Sequence, residues 1–216
     1  MALWAAAPAD TPVVIPSSGE SIEAFVPGGF HIHSRKDADF NGDGLVDAVL
    51  VLEADDEVLR YEQPRPLIVV FAQPGGGYRL SVRSDDVVYT APLGVHGDQF
   101  MGIELRGKTF IVRDESGNLV SGGGVSDQYQ FRSGAWVRIG RLEFTYSNDP
   151  PGLPCEGAKV KPPEMVNEIY RDTNLLTGDE IVKCGILHSD KESTRTVTIR
   201  RKVPVKPLVR LDEVKN

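Results

Sequence analysis

Nowhere in this chain do apolar residues run on for the 18 or more positions that a membrane-spanning helix needs. Met1 to Asp10 has no basic segment and too short an apolar stretch for a whole secretory leader, and it reads as the Ala/Pro-rich start of a processed exported protein or the tail end of a trimmed signal. The chain has only four histidines and two cysteines, Cys155 and Cys184, with no second Cys or His pair beside the cysteines, so a zinc finger is excluded. There is no Gly-x-Ser-x-Gly elbow, which removes the serine-hydrolase signature; Gly102 to Thr109 spells Gly-x-x-x-x-Gly-Lys-Thr, but Arg106-Gly107-Lys108 reads as a turn between strand segments, without the following helix that a P-loop needs. No stretch repeats with a fixed period, so a propeller built from tandem copies is not supported.

What is plentiful is turn chemistry. The 216 residues include 22 glycines and 15 prolines, separating short segments rich in Val, Ile, Phe, Tyr and Thr. The expectation is an all-β chain: an antiparallel meander forming a partly propeller-like or barrel-like sheet. One short N-terminal helix is expected near residues 16–28, opened by Ser17-Ser18-Gly19-Glu20 as a capping box and closed by Pro27-Gly28-Gly29. Residues 1–15 read as a flexible lead-in and 16–216 as a single all-β domain. A proline-rich loop at 146–164 precedes a C-terminal group of strands. Ala48 to Leu52 and Leu67 to Phe71 are near-continuous apolar runs, the pattern of strands buried on both faces. Gly75–Gly77 and Gly122–Gly124 read as turns between strands. Tyr129, Phe131, Trp136, Phe144 and Tyr146 read as packing residues of the meander.

The net charge of −7 is uneven. Residues 191–216 hold eight Lys/Arg against three acids, about +5, which leaves about −12 on the remainder. The basic strand Arg195–Lys202 could face an acidic partner, or serve as a charged guard on a sheet edge. Nothing in the composition calls for nucleic acid. Cys155 and Cys184 read as a disulfide of an exported protein, the alternative being two free buried thiols. Closing a loop of that length stabilises by about 3–4 kcal/mol.

One stretch carries specific chemistry: Asp39-Phe40-Asn41-Gly42-Asp43-Gly44-Leu45-Val46-Asp47. Oxygen-bearing side chains alternate, and two glycines allow tight winding. Calcium takes six to eight oxygens, and here Asp39, Asn41, Asp43, the Leu45 carbonyl and Asp47 could supply them. Position 12 counted from Asp39 is Leu50, inside an apolar strand, where an EF-hand has an acid. The site is thus a β-hairpin loop, with Asp37 at its margin. The other reading is a calcium-free Asx turn, in which several nearby carboxylates repel one another.

These residues, with Ala48-Val49-Leu50-Val51 after them, resemble the calcium-binding hairpin loop of FG-GAP and VCBS-type repeats. The resemblance implies the same five ligands and a structural Ca²⁺. It further implies a bacterial exported, periplasmic setting. More widely, residues 20–146 resemble single-loop periplasmic proteins, some of which inhibit lysozyme-like effectors as immunity proteins. The expected function is a non-enzymatic protein that binds another protein, plausibly an inhibitor of a secreted hydrolase. The alternatives are a carbohydrate- or envelope-binding module and a hydrolase using loop carboxylates.

Two further features stand apart. His31 and His33 share one strand face and could begin a transition-metal site, but no third ligand is evident in the sequence. His96, in the loop Gly94–Phe100, is a second candidate surface.

Overall fold

A computed structural model describes residues 13–57, 59–88, 97–161, 163–188 and 194–215. The described chain is all-β, with two antiparallel sheets of five and seven strands and no closed barrel. It divides into two compact units, residues 1–95 with 212–216 and residues 96–211. The single domain expected over 16–216 thus comprises two sheets, each with its own strands and core.

The first unit holds β1 (Ser18–Gly19), β2 (Phe30–Ala38), β3 (Asp47–Ala54), β4 (Leu67–Ala72) and β5 (Tyr78–Ser84), in the order β1-β5-β4-β3-β2. The interior strand β3 is buried at all eight positions; its apolar run Ala48–Leu52 fits a strand covered on both faces, while Asp47 and Glu53 at its ends are buried charged groups. Ala48, Leu50 and Leu52 pack with Ile68 and Val70 of β4, beneath Ile22 and Phe25. Each such fully buried branched side chain contributes roughly 1.5–3 kcal/mol.

The N-terminal helix is smaller than expected. Ser18 and Gly19 pair with Arg79 and Tyr78 as a strand, which removes the proposed capping box. Only Ile22–Phe25 is helical, as one 3-10 turn with no side-chain cap at Ser21. Four residues leave no room for a helix nucleus, and the turn is held by burying Ile22 and Phe25. A four-residue helix α1 (Leu59–Glu62), not expected, follows β3; the Leu59 N–H donates to Asp56 Oδ1 at 3.0 Å. Residues 1–12 of the expected lead-in lie outside the described residues, while Ile15 already packs on the core.

The second unit is a seven-stranded meander in which each strand pairs with its neighbours in the chain. Its strands are β6 (Phe100–Arg106), β7 (Thr109–Gly117), β8 (Ser121–Arg132), β9 (Ala135–Ser147), β10 (Glu164–Asn174), β11 (Asp179–His188) and β12 (Thr194–Lys202). Phe110 stacks on Tyr129 and lies against Trp136, so these aromatics form a core patch as expected. Gly122–Gly124 are not a turn: they run within β8, paired on one side with Gly117, Ser116 and Glu115 and on the other with Tyr146, Thr145 and Phe144. A Cβ at Gly123 would lie 2.4 Å from the Phe144 carbonyl oxygen, so close strand approach explains the glycine there.

Cys155 and Cys184 form a disulfide with a Cα–Cα distance of 6.4 Å. It fastens the proline-rich loop to a second patch built on Val166, Val182, Cys184 and Ile186. The disulfide is compatible with an exported protein. No helix among the described residues is long and apolar enough to cross a membrane.

Candidate metal-binding hairpin

The residues of the expected calcium loop and the His31/His33 pair sit on one hairpin, β2 and β3, with the Asp/Asn loop at its tip. The loop winds by short side-chain-to-backbone bonds of the Asx type. Asp39 Oδ1 accepts the Gly42 N–H at 2.6 Å, and its Oδ2 accepts the Gly44 N–H at 3.2 Å. Asn41 Oδ1 accepts from Asp43 N at 2.9 Å, and Asp43 Oδ1 accepts from Leu45 N at 2.8 Å. Gly42 and Gly44 both have φ of 86°, the left-handed region that admits glycine at little cost. Asp37 is drawn away from the loop by Arg35, whose Nε donates to it at 2.8 Å.

Asp47 is different in kind. It is fully buried. One carboxylate oxygen accepts the Phe40 N–H and the other the Ala72 N–H, both at 3.0 Å. It therefore joins the loop, the start of β3 and the end of β4. Burial pushes its carboxyl above the usual aspartate range; the backbone N–H groups of Ala72, Phe40 and Asn41 oppose that shift, and the nearby charge of Asp43 adds to it.

At the other end of the hairpin lies a group that sequence reasoning left incomplete. Next to the loop the strands pair Ala38 with Asp47 through Ser34 with Val51. A bulge at His33 then shifts the register, so that Ile32 pairs with Leu52 and His31 with Glu53. Without that shift Glu53 would pair with Ile32, a core residue. The extra residue moves the glutamate opposite a histidine instead.

His31 Nε2 lies 3.6 Å and His33 Nδ1 3.5 Å from the same oxygen, Glu53 Oε2. His31 Nδ1 is hydrogen-bonded to Asp55 Oδ1 at 2.9 Å. Glu53 and Arg65 are both buried, and Arg65 Nη2 donates to Glu53 Oε1. Among the described residues, the one set of three His, Cys, Asp or Glu side chains whose ligand atoms all lie within 4.8 Å of one another is His31, His33 and Glu53; Asp39, Asp43 and Asp47 are not such a set. The sequence signal for Glu53 was an acid ending the apolar run of β3, which becomes a partner only once the bulge is known.

The other candidate surfaces fare differently. His96 and residues 94–95 lie outside the described residues. The basic strand is engaged within its own unit. Arg195 Nη2 bonds Glu164 at 2.9 Å, Arg201 bonds Glu180 and Glu156, and Lys202 lies 2.7 Å from Asp179. These charges tie β12 to its neighbours, which leaves less unbalanced charge for a partner than the sequence implied. An open groove of about 850 Å³ lies instead over β8, β9 and β10, floored by Gly122–Gly124 and flanked by Glu143, Phe144, Leu153 and Arg171. No family model matches the chain, and no curated protein and no solved structure matches it.

Proposed function

We propose that this chain is an exported, non-enzymatic binding protein whose first unit takes up a structural calcium ion at the hairpin tip. The observation that supports the calcium reading is the winding of Asp39, Asn41 and Asp43 around two left-handed glycines, directly against a buried Asp47. The donor set is all oxygen, as a hard ion demands. Because those oxygens already accept backbone N–H groups, the ion exchanges some Asx bonds for metal contacts. Binding is then coupled to a local rearrangement, and a dissociation constant of about 10⁻⁴–10⁻³ M is expected, the range of extracellular modules. Asp39, Asn41, Asp43, the Leu45 carbonyl and Asp47 are the proposed ligands.

The proposed partner is another protein, with a secreted hydrolase as the leading class, in keeping with the resemblance of the loop and with the disulfide. An affinity capture from an extract containing exported proteins, run with calcium and with EDTA, tests this reading. Recovery of a hydrolase whose activity falls on addition of the pure protein supports it; capture of no protein while a glycan array gives specific binding overturns it. The second reading, a carbohydrate- or envelope-binding module, is favoured by the open groove beside Phe144, which stacks on Tyr170 at 5.8 Å.

A further inference from the structure

We infer that His31, His33 and Glu53 form a second metal site, distinct from the loop, that takes a divalent transition ion such as Zn²⁺. The distances argue for it. The two imidazole nitrogens stand 3.6 and 3.5 Å from Glu53 Oε2. That is long for an N–H···O hydrogen bond, which falls at 2.7–3.2 Å. It is close to the separation of about 3.3 Å between neighbouring ligands of a tetrahedral ion bound at 2.0–2.1 Å. The atoms are spaced as ligands rather than as donor and acceptor.

The surroundings fit the same role. Asp55 holds His31 Nδ1 at 2.9 Å and so turns Nε2 toward the cluster, the carboxylate–histidine arrangement that orients metal-bound imidazoles. Arg65 occupies Glu53 Oε1 and leaves Oε2 to the histidines. Arg60 Nε, a buried atom on a side chain one-third exposed, also lies 3.4 Å from Oε2, so metal uptake requires it to give up that contact. Two imidazoles and one carboxylate suit a borderline ion and not calcium, which prefers an all-oxygen shell. The His31 side chain is 43% exposed, which gives water or a partner's donor access to the cluster to complete the coordination.

The bulge gives the site its specificity of construction. A regular hairpin would not set His31 opposite Glu53, and bulges commonly re-aim side chains at functional sites. The inference does not depend on the calcium reading, since the two sites share no ligand.

The test is a calorimetric titration of the full chain with Zn²⁺ after chelator treatment, in millimolar calcium, with Co²⁺ absorption as a second readout. One Zn²⁺ per chain is expected, with affinity falling about 100-fold in His33→Ala and about tenfold in Asp55→Asn, where only an orienting group is lost. Asp43→Ala binds Zn²⁺ as the wild type does. Absence of Zn²⁺ uptake, or uptake unaltered by His33→Ala, overturns the site, as does uptake lost in Asp43→Ala but kept in His33→Ala. Glu53→Gln removes a ligand and also the buried carboxylate to which Arg65 donates. His33→Ala, on a more exposed side chain, keeps the test valid if that variant does not fold.

Discussion

All eight residues of β3 are buried, whereas β10, at eleven residues, buries only Val166. The contrast holds across the two sheets. The five-stranded sheet draws its cohesion from an apolar layer under the Ile22–Phe25 turn. The long strands of the seven-stranded sheet are mostly half-exposed, and its β10–β12 side is bound by the Cys155–Cys184 bridge and by Arg–Glu pairs that cross between strands. Partly exposed ion pairs contribute little singly, so the covalent link and the small core beneath it matter more there. One chain thus uses two ways of holding a sheet, and perturbations should tell them apart.

The largest expected effect is on the apolar side. Leu50→Ala should cost about 3–5 kcal/mol by opening a cavity at a fully buried position of the core layer. Chemical denaturation should show the loss, and a cost under about 1 kcal/mol would mean that the layer relaxes around the gap. Next comes the bridge. Replacing Cys155 and Cys184 with Ala should remove about 3–4 kcal/mol, and hydrogen exchange should place the loss in β10–β12, not in β3. Titration of the native and the unfolded protein should find no free thiol.

A smaller effect concerns Glu180, which is buried and receives Arg201, Arg171 and Thr173. Burial alone would raise its carboxyl, but the two guanidinium groups outweigh that, and its folded value lies below the ordinary 4.5. The stability it supplies is therefore present above the ordinary value and is lost as pH falls through the folded one. Glu180→Gln should cost about 2 kcal/mol at pH 7 and flatten the acid limb of melting temperature against pH. An unchanged acid limb would assign acid sensitivity to other carboxylates.

The smallest effect is calcium itself. At ten times its dissociation constant it adds about 1.4 kcal/mol. EDTA should lower the melting temperature by a few degrees, and Asp43→Ala should abolish the difference. A wild-type melt indifferent to both calcium and EDTA would remove the structural ion.

How far the sequence could be read follows the same division. The buried strands β3 and β4 were legible because a run such as Ala48–Leu52 fits a strand covered on both faces and few other settings. The meander and the cysteine pair were legible from turn residues and from count. The loop was legible as a winding turn, since its chemistry is local. Whatever depended on register was not. Glu53 met His31 only through a one-residue bulge at His33, a feature with no composition signature. Gly122–Gly124 looked like a turn because glycine also serves close strand approach. The basic strand read either as a charged edge guard or as a face for an acidic partner; β12 does lie at the sheet edge, and its ion-pair partners Glu164 and Glu180 were not legible because they lie on other strands. The N-terminal segment was over-read as a helix because Ser17 to Glu20 imitates a cap while Ser18 and Gly19 pair with β5.

The return of the chain's last residues to the first unit bears on the order of events during synthesis. Residues 212–216 belong with residues 1–95; Val214 is buried and Lys215 Nζ bonds Asp86 at 2.9 Å. At ribosomal rates, making residues 96–211 takes on the order of ten seconds. During that interval the first unit exists without the contacts of Val214 and Lys215, and a chain stalled before residue 212 would be released lacking them.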